Sequence, residues 1–134
     1  MIAADTNVLL RLTVNDDPSQ TNAAEGRLRK ALESRAEIYI NPVVLAEFVW
    51  TLARTYGAKR AEQTDAVRQY FDRPPYRLFD EPTVRAALEL FESSRAGFSD
   101  CLIAALNGAS GVETTFTFDR AAASLPNFAS ILES

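Results

Sequence analysis

Short β-favouring runs alternate with helical stretches along the whole chain, and three of the helices mark their own starts. Asp16-Asp17-Pro18, Asn41-Pro42 and Asp80-Glu81-Pro82 each set a capping side chain ahead of, or beside, a proline. A cap oxygen accepts a helix N–H that has no partner in the first turn, and Pro there gives up no bond. The spacing predicts helices from Pro18 to near Ser34, from Pro42 to about Thr55 with Gly57 as the stop, and over 58–71 with a weaker pattern. Two more follow, one after Pro82 with Val84, Ala87, Leu88 and Phe91 on one face, one from Phe98 or Ser99 to Gly108. Ala24, Leu28, Ala31 and Leu32 give the first helix an apolar stripe at helical spacing. Strands are expected at Ile2-Ala3-Ala4, at Glu37-Ile38-Tyr39-Ile40, at Tyr76-Arg77-Leu78-Phe79 as an edge, and over 114–117. Asp119-Arg120 enters a short alanine-rich turn, and 128–132 is a last apolar segment. Strands alternating with helices define an α/β chain with a short, mostly parallel sheet covered on both faces. No linker or composition shift divides residues 1–134, so one domain is expected, and the 47% apolar share supplies its core.

Composition removes several kinds of chemistry. There is no histidine, which removes His-dependent triads and argues against catalytic zinc. The single cysteine, Cys101, forms no internal disulfide, fits a reducing cytoplasm and reads as a small buried hydrophobe. No apolar run is long enough to span a membrane, and no signal peptide is evident. The net charge of −4 argues against a generally basic nucleic-acid binder. Twelve of the 14 bases are Arg, with Lys30 and Lys59 the only lysines. Arg11, Arg27, Arg29, Lys30, Arg35, Arg54, Lys59, Arg60 and Arg68 are the candidates for a phosphate-binding rim; salt-bridged helix faces would give the same count.

Four acids stand where apolar residues would be expected. Asp5 and Asp119 each directly follow a strand. Glu47 interrupts Val43-Val44-Leu45-Ala46-Glu47-Phe48-Val49-Trp50, and Asp100 heads Cys101-Leu102-Ile103-Ala104-Ala105-Leu106. A helix apolar all round is buried, so Glu47 is expected to be partly buried. Asp100 falls in a first helical turn, where the dipole favours an anion. Each acid also has a plain structural reading. Asp5, Asp100 and Asp119 fit as caps, and Glu47 as partner to a buried Arg54 or Arg11. Their conjunction points further. Ligands of open α/β sheets bind beyond the carboxyl ends of the strands, and all four acids fall at that edge.

Converging carboxylates need a counter-charge. Oxygen donors without His or Cys suit Mg²⁺ or Mn²⁺, whose coordination is typically completed by water and a substrate phosphate. Such a site brings a phosphodiester to a metal-activated water. Thr6, Asn7, Ser99 and Thr117 are placed to orient the carboxylates or waters, and equally to cap or to bond within the core.

Four blocks of sequence resemble PIN-domain ribonucleases of the VapC toxin type. They are Ala4-Asp5-Thr6-Asn7-Val8-Leu9-Leu10-Arg11 with Asp16-Asp17-Pro18, Asn41-Pro42-Val43-Val44-Leu45-Ala46-Glu47-Phe48-Val49-Trp50, Gly97-Phe98-Ser99-Asp100-Cys101-Leu102-Ile103-Ala104-Ala105, and Thr115-Phe116-Thr117-Phe118-Asp119-Arg120. The resemblance covers nearly the whole chain, in the family's order and spacing. It implies a three-layer α/β/α sandwich and an endoribonuclease dependent on Mg²⁺ or Mn²⁺. By block, Asp5, Glu47, Asp100 and Asp119 match the family's acidic quartet, and Thr6, Asn7 and Thr117 match polar positions near it. It further implies the toxin half of a toxin–antitoxin pair: a homodimer in the cytoplasm, bound by a cognate antitoxin, with RNA as substrate.

Three other readings are weaker or less complete. A receiver domain needs a Lys after a late strand, and Lys30 and Lys59 come too early. A haloacid-dehalogenase-like phosphatase needs a second Asp two residues after the first, and position 7 is Asn. A PIN-fold module that binds RNA or a partner without cutting it is the alternative that the filled acidic positions oppose only indirectly.

Overall fold

Parallel strand pairing organises the chain in two places. The computed structural model describes residues 1–132 and divides into two compact units, Met1–Phe79 and Asp80–Ser134. In the first unit, β1 (Ile2–Ala3), β2 (Ile38–Ile40) and β3 (Tyr76–Leu78) form one sheet in the order β1-β2-β3, all parallel. The register sets Ile2 opposite Ile38, and Ile38 opposite Tyr76. Parallel neighbours need long crossovers, and helices supply them. Helices α1 (Thr6–Thr13) and α2 (Pro18–Ser34) join β1 to β2; α3 (Pro42–Arg54) and α4 (Arg60–Arg68) join β2 to β3. Helix α1 packs on α2 and on α3, and α3 packs on α4.

The caps fall where the sequence set them. Asp17 accepts from the Gln20 N–H at 3.1 Å, Asn41 from that of Val44 at 2.9 Å and Asp80 from that of Thr83 at 3.4 Å. Gly57, expected to stop α3, adopts a φ of +67°, a conformation that costs a residue without Cβ nothing. Leu9, Ile40, Leu45, Phe48, Val67 and Tyr70 are fully buried in this unit. The Phe48 ring meets Tyr70 edge-on at 6.0 Å, and Tyr70 meets Tyr76 edge-on at 4.8 Å. Those two contacts tie α3 to β3 through the turn that follows α4.

Two local expectations change. Leu32, assigned to the apolar stripe of α2, is 51% exposed, whereas Ala31 is buried. The helix expected over 58–71 covers only Arg60–Arg68. Tyr70 and Phe71 belong to the turn beyond it, and burial of the Tyr70 ring outweighs the continuation of the helix.

The second unit is an α/β hairpin of another kind. Helices α5 (Glu81–Glu92) and α6 (Phe98–Ala109) pack on each other. Val84, Ala87, Leu88 and Phe91 are buried, as their spacing predicts. Phe91 and Phe98 stack edge-on at 5.9 Å across the connection. Strands β4 (Thr115–Thr117) and β5 (Phe128–Ser130) pair in parallel, joined through a 3-10 turn at Ala122–Ser124. Cys101 is buried, with its Sγ 3.9 Å from the Ser94 hydroxyl. Among the described residues no helix is long and apolar enough to cross a membrane.

Three elements of the first unit are also tied at its surface. Arg11 donates to Asp16 and, at 2.7 Å, to Gln20. The Tyr56 hydroxyl donates to the other Asp16 oxygen at 2.6 Å. That hydrogen bond first, and the Arg11 charge with it, hold the Asp16 carboxyl below its ordinary range. A depressed folded pKa adds stability above the ordinary carboxylate range and loses it as pH falls through the folded value. Tyr56→Phe is therefore expected to lower the melting temperature at pH 7 by no more than a few degrees, with the deficit vanishing at acid pH. Phe48→Ala, by contrast, empties a fully buried site and is expected to cost about 3–5 kcal/mol in urea unfolding at any pH.

Candidate active site

The first unit brings one end of each parallel strand to a common edge. β1 ends one residue before Ala4-Asp5, and β2 ends one residue before the α3 cap Asn41. The Ala4 N–H donates to the Tyr39 carbonyl at 3.2 Å, so the pairing continues up to the residue before Asp5. Asp5 is exposed and caps α1, accepting from the Val8 N–H at a long 3.4 Å through one oxygen. That leaves its second oxygen directed at no protein donor among the described residues. Thr6 is the first residue of α1, and Asn7 the second, with its side chain exposed.

Glu47 departs from its expected environment. It is exposed, in the second turn of α3. Helix α3 is not apolar and buried all round: Leu45, Phe48, Val49 and Leu52 face inward, while Val43, Glu47, Trp50 and Arg54 face out. Composition does not separate these two faces, because Val43 and Trp50 are as apolar as their buried neighbours. Neither expected arginine holds Glu47. Arg11 is engaged with Asp16, and the Arg54 guanidinium lies over the Trp50 ring.

The second unit brings two of the four acids together. Asp100 is the third residue of α6, in its first turn. It is not the cap; Gly97 occupies that position without a side-chain bond. The helix dipole there favours the ionised form, yet the carboxyl is pushed above its ordinary range. Burial is the larger cause and the negative charge of Asp119 the second. Asp119 lies two residues beyond β4, where its N–H donates to Thr117 Oγ1 at 3.0 Å. One Asp119 oxygen accepts from the Ala122 N–H at 2.8 Å and caps the 3-10 turn. For Asp119 the cap is real, and as with Asp5 it occupies a single oxygen. Thr117 therefore orients Asp119 through the backbone rather than through the carboxylate. Ser99 is exposed beside Asp100, without a capping bond.

Sequence reasoning passed over Asn107. Its amide donates to Thr115 Oγ1 at 2.8 Å and ties α6 to β4, the two elements that carry Asp100 and Asp119. An amide inside an alanine-rich helix was the available signal.

The donors suit a hard divalent ion by their chemistry. All are carboxylate oxygens, each capping acid retains an oxygen, and the Asp100–Asp119 repulsion is of the kind a cation relieves. Within neither unit, among the described residues, do three or more such side chains gather closely enough to hold an ion by themselves.

The PIN domain family model matches residues 2–127. The chain belongs to the PIN domain family and has its α/β fold, with six α-helices and short parallel strands among the described residues. PIN domains are in general nucleases, hydrolases of phosphodiester bonds, and generally use divalent metal ions. No curated protein matches the chain.

The raised Asp100 carboxyl gives a stability test with a definite sign. A carboxyl whose folded pKa is raised binds more protons in the folded state, so stability falls as pH rises from the ordinary carboxylate range through the folded value. In metal-free buffer, Asp100→Asn removes that loss. The variant is expected to melt up to a few degrees higher than wild type at pH 7, and no higher near pH 3. Asp119→Asn should give a smaller gain in the same direction, since its charge is the lesser cause.

Proposed function

We propose that the protein is a Mg²⁺- or Mn²⁺-dependent endoribonuclease, with Asp5, Glu47, Asp100 and Asp119 as its acids. The observation that carries this reading is the Asp100–Asp119 pair. Asp100, in the first turn of α6, and Asp119, just beyond β4, come near enough for the Asp119 charge to join burial in raising the Asp100 carboxyl, and a cation would relieve both. The second oxygen of exposed Asp5 and the exposed Glu47 add donors of the same kind.

In this reading Asp5, Glu47, Asp100 and Asp119 are the carboxylates that would hold the ion. The ion, when bound, supplies positive charge at the phosphodiester and lowers the pKa of water. The capping bonds of Asp5 and Asp119 each occupy one oxygen and leave the other available to an ion. Thr6, Asn7 and Ser99 are placed beside the acids to orient them or nearby water, while Thr117 holds the Asp119 turn.

The family blocks in the sequence support a narrower identity: the VapC-like toxin of a type II toxin–antitoxin pair, working as a cytoplasmic homodimer on RNA and held by a cognate antitoxin. An acidic centre would attract a cationic side chain of such an inhibitor.

Asp5→Asn and Asp100→Asn are each expected to lower Mg²⁺-dependent cleavage of RNA by about a hundredfold or more. Circular dichroism should show the fold intact. Chelation should abolish cleavage by wild type, and added Mn²⁺ or Mg²⁺ restore it. Cleavage by both variants at the wild-type rate would sink the assignment. Calorimetry separates the non-catalytic alternative: a module that only binds RNA or protein should show no tight site for either ion.

A further inference from the structure

Helix α3 presents an exposed line of side chains that its packing does not use. Val43, Glu47, Trp50 and Arg54 follow at intervals of four, three and four residues, which places them along one face. Trp50 is 59% exposed in a helix that buries Leu45, Phe48, Val49 and Leu52. It is also the only tryptophan in the chain. The Arg54 guanidinium stands 6.0 Å from the centre of the Trp50 ring, within reach of a cation–π contact that steadies the indole. Arg54 forms no ion pair among the described residues, so its charge is uncommitted. Glu47 lies one turn before Trp50 on this line, about 4.5 Å along the axis, and Arg54 about 6 Å beyond.

We propose that Trp50 is a stacking platform for an unpaired base of the substrate, and that Arg54 contacts the backbone phosphate next to that base. The inference rests on the nuclease reading of Glu47. An indole offers a flat apolar face to any base, and an adjacent Arg supplies both a cation for the phosphate and a second stacking plane. A base already stacked and paired inside a duplex cannot use such a platform. The line therefore selects single-stranded RNA at the nucleotide flanking the scissile phosphate, without choosing a sequence. A second copy of the chain is the competing occupant. Charged residues are depleted at the centre of protein interfaces, and here Trp50 sits between an acid and a base. That charge pattern favours a nucleic acid whose phosphates meet Arg54 while Glu47 works on the reacting centre.

The sole tryptophan makes the test direct. The Asp100→Asn full-length protein is titrated with an unstructured single-stranded RNA oligonucleotide and then with its duplex, while intrinsic fluorescence is recorded and binding is followed separately by anisotropy of an end-labelled copy. The single strand should quench Trp50, and the duplex should not. On the wild-type background, Trp50→Ala should raise KM for the single strand about tenfold or more while kcat stays within a few-fold. Trp50→Phe should recover most of that loss, and Arg54→Glu should weaken binding and reduce its salt dependence. Thermal melting checks that each variant is folded. Cleavage by Trp50→Ala at unchanged KM, or RNA binding without quenching, overturns the platform and leaves the nuclease reading intact. Fluorescence that tracks protein concentration rather than RNA assigns the face to self-association and also overturns it. Wild type that neither binds nor cuts RNA removes the nuclease reading, and this inference falls with it.

Discussion

The parallel pairing of β1 with β2 is the interaction on which the first unit depends. It is short, with Ile2 opposite Ile38 and Ala3 opposite Tyr39. Because the strands run the same way, each must be reached by a helical crossover, and each releases the next helix at the same edge. Asp5 and the start of α3 meet there as a consequence of direction. An antiparallel pair of the same residues would have sent them to opposite ends of the sheet.

The same logic recurs in the second unit on a smaller scale. β4 and β5 are parallel, and Asp119 leaves the end of β4 into a tight turn that its own side chain caps. Asn107 then ties the preceding helix to that strand. Asp100 is thereby held where burial and the Asp119 charge both oppose its ionisation. In each unit a cap and a candidate ligand are the same residue. A carboxylate has two oxygens, and one suffices for the backbone N–H.

Much of this was legible in the linear chain. Cap-and-proline pairs act within one turn, so Asp17-Pro18, Asn41-Pro42 and Asp80-Glu81-Pro82 located three helices to within a residue or so. The isolated acids stood out because a carboxylate within or beside an apolar run is improbable unless something holds it. Less legible were faces. Val43 and Trp50 read as core, and so did Leu32, because periodicity ranks a residue by its type and not by what lies opposite it. Glu47 consequently read as buried when it belongs to the exposed side of an amphipathic helix.

The sequence by itself determined most of the element order, three helix starts, the α/β class and the acidic residues, since these rest on local backbone chemistry and on residue type. Tertiary structure alone decided which neighbour each side chain meets. It gave Arg11 to Asp16 and Tyr56 rather than to Glu47, set Arg54 over an exposed Trp50, and brought the Asp119 charge to bear on Asp100. Those outcomes depend on strand register and helix rotation, which are fixed by packing between residues far apart in the chain and leave no local trace.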